Sequence, residues 1–189
     1  MEFARRHHVP LHVRSSFTWE PGTWIVEEEE NMEEAVVTAV TDDTSEAKIT
    51  VGQVPDQPGL AARLFRELAD KGVNVDMIVQ NTSVEGTTDI SFTVEKGDAD
   101  AAVAAVEGIR DELQIGQITS DSGVGRVTLI GAGMKSSPGI TAKMFETLAS
   151  LGINIEMIST SSIRISTIVR AERVGDAVRA LHAAFGLDA

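Results

Sequence analysis

This chain should fold as α+β, as two copies of one small βαββαβ unit, and two observations lead there. The first is an internal repeat: Pro58-Gly59, Ala62, Phe65, Leu68-Ala69, Gly72, Asn74 and Met77-Ile78 return, 80 residues on and without a gap, as Pro138-Gly139, Ala142, Phe145, Leu148-Ala149, Gly152, Asn154 and Met157-Ile158. A repeat constrains architecture before any local pattern does, and two copies make a tandem of small domains, not a solenoid. The second is the hydrophobic period, which switches within each copy between the value of a strand and that of a helix. A unit of about 70 residues buries only about 60% of its unfolded surface, so each copy is expected to need a partner.

Residues 1–26 differ from the rest. Stretches 9–13 and 23–26 read as short strands around a Pro21-Gly22 turn, and both tryptophans, Trp19 and Trp24, lie here. This segment is too short to fold alone and looks like the trailing edge of something larger. Residues 27–34 form an acidic stretch without period, read as a solvated linker. A strand-like run, 34–40, follows and has no neighbour in sequence to pair with.

The first copy spans 45–120. A strand covers 47–54, and Asp56-Gln57-Pro58-Gly59 reads as a helix start, with Asp56 as cap and Pro58 in the first turn. Ala61, Leu64, Phe65, Leu68 and Ala69 fall on one helical face, and Gly72 ends the helix. Val73, Val75, Met77 and Val79 then alternate with polar residues as a half-buried strand. Glu85-Gly86 turns the chain into a strand over 90–94. A second helix carries Ala102, Val103, Val106 and Ile109, and 113–119 closes the unit, giving the split βαβ order of ferredoxin-like folds.

The second copy, 121–189, offers strands at 125–131, 153–159 and 163–169. Its helices cover 138–151 and the run marked by Val174, Ala177, Val178, Leu181 and Phe185. No room remains for a fourth strand before Ala189. The economical solution is that the segment 35–44 completes the second sheet, which makes the first unit an insertion into the second.

Composition narrows function. A net charge of −13 argues against nucleic acid, whose phosphates need a basic face, and 4% aromatic residues without tyrosine leave little for base stacking. No apolar run approaches the roughly 18 residues of a membrane span. The N-terminus lacks the apolar core of a signal peptide, and the absence of cysteine fits a reducing compartment, so a cytoplasmic location is expected. His7-His8 brings no further metal ligands, and Gly131-Ala132-Gly133 lacks the third glycine of a dinucleotide fingerprint, so neither metal nor cofactor is expected in this chain.

The pattern strand, Asp-x-Pro-Gly, helix, Gly-x-Asn-(Val/Ile)-(Asp/Glu)-Met resembles the ACT domain, a small-molecule sensor. Read continuously, Ser45-Glu46-Ala47-Lys48-Ile49-Thr50-Val51, Asn74-Val75-Asp76-Met77-Ile78-Val79-Gln80-Asn81, Gly131-Ala132-Gly133-Met134-Lys135-Ser136 and Ile158-Ser159-Thr160-Ser161 resemble the regulatory region of the aspartate kinase family. Val9-Pro10-Leu11-His12-Val13 and Pro21-Gly22-Thr23-Trp24-Ile25 resemble the last strands of that family's kinase domain. Nothing resembles its Lys-Phe-Gly-Gly-Thr-Ser phosphate loop, so no catalytic residue is expected, and ATP and magnesium would belong to a separate catalytic α subunit. The resemblance implies a regulatory β subunit, homodimeric through its ACT domains, that binds L-threonine, with L-lysine as a second candidate, and transmits feedback inhibition. A piece of a longer kinase and a free-standing amino-acid sensor are the alternatives.

An amino-acid effector presents a carboxylate, an ammonium and a side chain. The orphan amides of a helix start suit the carboxylate; Asp56, or the strand edge at 74–76, suits the ammonium; an amide such as Gln80 suits a threonine hydroxyl. The resemblance places effector contacts on Asp56, Gln57, Pro58, Gly59, Leu60, Ala61, Asn74, Val75, Asp76 and Gln80, and in the second copy on Ile140, Thr141, Asn154, Ile155, Thr160 and Ser161. The copies diverge where a ligand would sit, which implies one sensing pattern per copy. Ser162 stands where the family typically has glutamate, removing the carboxylate that a lysine-selecting second site would use.

Overall fold

The computed structural model describes residues 4, 7, 9–25, 37–82, 86–132, 134, 137 and 139–187. They fall into two units, Met1–Ala35 and Val36–Ala189. In the first, β1 (Leu11–Val13) and β2 (Thr23–Ile25) form an antiparallel hairpin with Leu11 opposite Ile25. His12 stacks on Trp24 with ring centroids 4.0 Å apart and donates from Nε2 to the Pro21 carbonyl at 2.6 Å. Phe17 and Trp19 stand almost fully exposed. The expected linker, 27–34, lies outside the described residues.

The second unit holds two four-stranded antiparallel sheets. Its elements are β3 (Ala39–Asp43), β4 (Glu46–Pro55), α1 (Leu60–Asp70), β5 (Ile78–Thr82), β6 (Thr87–Glu95), α2 (Ala99–Gly108), β7 (Gln117–Asp121), β8 (Val124–Ile130), α3 (Ile140–Ser150), β9 (Met157–Thr160), β10 (Arg164–Arg170) and α4 (Val174–Ala184). One sheet has the order β5-β6-β4-β7 and the other β3-β8-β10-β9. The strand that precedes the first half therefore pairs with β8 of the second, and everything from β4 to β7 is inserted between them.

Of the expected run 34–40, residues 34–36 lie outside the described residues, and of the rest β3 takes in only 39–40, continuing to Asp43. Val37 is buried and Thr38 donates to the Ile130 carbonyl at 2.8 Å, but the ladder with β8 runs from Ala39 to Asp43. Polar Thr41, Asp42 and Asp43 are tolerated because β3 is an edge strand with one face in solvent.

Strand alternation builds each core. Ala47, Ile49 and Val51 point inward, to Ile90 and Phe92 of β6 and to Leu64 and Leu68 of α1; Phe65 meets Phe92 edge-on at 5.5 Å. Val127, Leu129, Met144, Leu148, Ile165, Val169 and Leu181 repeat this arrangement in the second half. Ala69, expected on the apolar face of α1, is exposed. Met77, Val79, Val124, Met157 and Ile168 form a third cluster that joins the two halves.

Two strands differ from their expected span for identifiable reasons. Leu113 and Ile115 are buried, but Gln114 between them takes φ 52°, so they belong to a turn and β7 begins at Gln117. At 73–77 the alternation of burial is present, but the pairing is irregular: the Thr93 hydroxyl accepts from the Met77 amide at 3.2 Å, and the Asp76 amide donates to the Thr93 carbonyl at 3.1 Å.

Candidate functional site

The helix starts are built by glycine, not by the acid expected to cap them. Gly59 is the residue that caps α1, in the left-handed region at φ 93°, with no side-chain cap; Pro58 precedes the helix, and Asp56 uses its amide to reach the Gly86 carbonyl at 2.9 Å. Gly139 does the same for α3 at φ 99°. A Cβ at Gly59 would meet no atom within 4 Å, so backbone conformation, not crowding, requires glycine there. The Leu60 amide turns back to the Gln57 carbonyl at 3.4 Å. The next amides of the first turn, those of Ala61 and Ala62, have no intrahelical acceptor, and they are available to an anion.

The Gly-x-Asn-x-(Asp/Glu)-Met pattern divides between ending a helix and joining the halves. Gly72, at φ 75°, donates to Ala69 at 3.0 Å, and Val73 donates to Leu68 at 3.0 Å, the Schellman arrangement; Gly152 and Ile153 reproduce it after α3. Val73 and Ile153 are buried beneath the helices, whereas Asn74 and Asn154 are exposed and Val75 and Ile155 half-buried. Met77 and Met157 enter the cluster between halves.

These residues do not converge within one half. Asp56–Ala61 sit at the end of the sheet where Pro55 faces Thr87, while Asp76 bonds to Thr93, six residues along the same strand. At about 3.3 Å per residue the two groups stand roughly 20 Å apart. Gln80, paired with Ile90, is exposed and lies midway on β5. In the second half Ile140, Thr141, Thr160 and Ser161 share one end and Asn154-Ile155 the other. The Ser161 hydroxyl serves the turn, accepting from the amides of Ile163 (3.3 Å) and Arg164 (3.1 Å). β5 and β9 are edge strands, each paired on one side only within its sheet, and Ile78 and Ile158 on them are exposed.

Sequence reasoning missed the charges beside these loops. The Asp76 carboxylate pairs with Arg126, which also reaches Glu46 at 3.1 Å and Asp43 at 3.5 Å. Glu156 pairs with Lys48 and, at 3.3 Å, with Arg170, whose Nη1 also holds Asp121 at 2.5 Å. Hydrogen bonds from the Ser45 hydroxyl and amide hold Asp43 below the usual carboxylate range, and the bond from Arg170 does so for Asp121. Glu46 moves the other way. Burial pushes its carboxyl up, with Asp76 and Asp43 adding to the push and Arg126 opposing it, and its Oε2 has no hydrogen-bond partner.

A raised carboxyl pKa means that the folded state holds the proton more readily, so this group's contribution to stability falls as pH rises through the folded value. Glu46→Gln is therefore expected to raise the melting temperature at pH 7, with the gain fading below the ordinary value of 4.5. A gain of equal size at pH 7 and pH 4 would contradict the assignment.

The outer face of β4, β6 and β7 carries an open polar hollow of about 520 Å³, walled by Lys48, Thr50, Asp89, Gln117, Thr119 and Asp121 among others. No residue expected at the effector site lines it. Among the described residues there is no cluster of acids, histidines or cysteines that could hold a metal, and no helix long and apolar enough to cross a membrane.

Known proteins share this architecture. The ACT domain family matches residues 49–108 and 127–185, one match in each half. The regulatory subunit of aspartate kinase from Thermus thermophilus, in its ligand-free form, superposes with a TM-score of 0.76 at 41% identity, covering 79% of this chain and 99% of that one. The chain belongs to the ACT-domain family, among aspartate kinase regulatory regions. The aspartokinase of Mycobacterium bovis is 49% identical over 99% of this chain, which spans only 45% of that relative. A crystal structure of aspartokinase alpha and beta subunits aligns with a TM-score of 0.75 at 42% identity, over 79% of this chain and 99% of the matched one.

Proposed function

We propose that this chain is the regulatory part of an aspartate kinase, binding L-threonine where ACT domains of two copies meet and transmitting feedback inhibition to a catalytic subunit in the cytoplasm. L-lysine is the second candidate effector. The observation that carries this is the separation of about 20 Å between the open first turn and the Asn74 loop of the same half. One amino acid can touch both kinds of element only when the edge strand of one ACT unit runs antiparallel beside that of another. That arrangement brings the first turn of one unit to the loop of its neighbour. The unpaired edges of β5 and β9, with Ile78 and Ile158 exposed on them, support such a contact. Helix-start amides would take the effector carboxylate, the strand edge beside Asn74 or Asn154 its ammonium, and Gln80 the hydroxyl. ATP and magnesium would be held by the catalytic subunit, and a longer polypeptide carrying this region would use the same site.

Regulation then follows from linkage. An effector that favours one subunit arrangement shifts the assembly toward it, by about 2.7 kcal/mol at 100-fold above Kd. Calorimetric titration with threonine, with lysine and with both tests the reading. Threonine is expected to bind and to raise the melting temperature, and Gln80→Ala and Ala61→Thr to weaken binding without changing the circular dichroism. No heat and no melting shift at millimolar threonine or lysine would sink the proposal.

A further inference from the structure

The loops 74–76 and 154–156 end in acids that are each tied to the opposite half of the chain. Asp76 pairs with Arg126 on β8, and Glu156 pairs with Lys48 on β4. The two pairs occupy equivalent places. Lys48 lies two residues before Thr50, whose hydroxyl bonds Ser91 across the sheet at 2.9 Å; Arg126 lies two residues before Thr128, whose hydroxyl bonds Ser166 at 2.9 Å. Each half thus lends one cation to the other's loop. Between the two pairs lies the apolar cluster, in which Met77 and Met157 directly follow the two acids.

The anchors are stiffer than what they hold. β4 is paired on both sides, by β6 and β7, and β8 by β3 and β10. Each loop end, by contrast, hangs from one side of its own sheet. The Asp76 amide donates to the Thr93 carbonyl at 3.1 Å beside the bond of the Met77 amide to the Thr93 hydroxyl. The Glu156 amide donates to the Ile168 carbonyl at 2.8 Å, while its carboxylate also meets Arg170 of its own half at 3.3 Å. The anchoring strand β4 also leads onward to a candidate first turn, running directly into Asp56–Gly59.

We infer that Lys48 and Arg126 are positioning residues that lock each loop to the opposite half, so that a ligand gripping one loop acts through the anchoring strand on the first turn of the other half. This rests on the effector reading above and adds to it a route between the two sensing patterns within one chain. The route is a charge pair on a shared apolar pivot, and it requires no change in either core.

The test is calorimetric titration of L-threonine into the full chain, comparing wild type with Lys48→Met and Lys48→Arg. Lys48→Met keeps the aliphatic stem and removes the charge. It is expected to stay folded while losing about tenfold in threonine affinity, and Lys48→Arg to recover affinity to within about threefold of wild type. Should Lys48→Met not fold, Lys48→Gln removes the same charge and leaves the Glu156–Arg170 pair in place, and it gives the same readout. Wild-type affinity in the charge-deleting variant would overturn the lock and leave the effector reading standing. A wild-type chain that binds no threonine would overturn both. Loss of affinity that Lys48→Arg does not restore would assign Lys48 a packing role, and the inference would fall.

Discussion

Arg126→Met is expected to destabilise the chain by about 3 kcal/mol, because removing the half-buried guanidinium strands the buried Glu46 carboxylate. Three carboxylates, Asp43, Glu46 and Asp76, share this one guanidinium, and Glu46 is buried with an oxygen already unpartnered. For a chain of this size that corresponds to a melting temperature lower by about 6–12 °C. Adding Glu46→Gln is expected to recover part of the loss, since the buried charge disappears with its counter-ion. Chemical denaturation of the two single variants and the double variant provides the coupling energy. A loss under about 1 kcal/mol for Arg126→Met, or strict additivity with Glu46→Gln, would show that solvent already compensates these carboxylates.

Phe92→Ala is expected to cost about 3–5 kcal/mol, the usual range for deleting a fully buried ring. Phe92 is wholly inaccessible on the central strand β6, opposite Ile49 and Ile78, and meets Phe65 edge-on. The informative measurement is where the loss is felt. β3 and β8, adjacent in the second sheet, flank the first half in sequence, and Val124 and Ile168 pack on Met77. Amide exchange is therefore expected to accelerate at Val127 and Leu129 as well as within β6. Acceleration confined to the first half would mean that the halves unfold independently, with the cluster at Met77 and Met157 too weak to couple them.

Local chemistry made much of the fold legible. Helix-period patterns at Leu64 and Leu68 and strand alternation at Ile49 and Val51 report on neighbours a few residues away, and the structure buries them as their spacing implies. Gly72 ends its helix for the same reason: the left-handed position after a helix suits glycine best, since it has no Cβ. The helix start misled because Asp-x-Pro-Gly suggests an acid cap. A left-handed Gly59 instead places the turn ahead of the helix and leaves Asp56 outside it. The ion pairs were beyond reach. Lys48 and Glu156 stand 108 residues apart and Arg126 and Asp76 stand 50 apart, and nothing local marks an exposed-looking charge as one that will meet its opposite across a domain contact.

The insertion of one half into the other has a consequence for synthesis. A ribosome that has just released Asp121 has delivered every strand of the first sheet, yet the second sheet then exists as β3 alone, without hydrogen-bonded neighbours until β8 emerges. At about 5–20 residues per second, β3 waits roughly 4–16 s from its own appearance. During that interval the polar run Thr41-Asp42-Asp43 is what the nascent strand shows to other chains, and its two carboxylates discourage premature partners from docking along it.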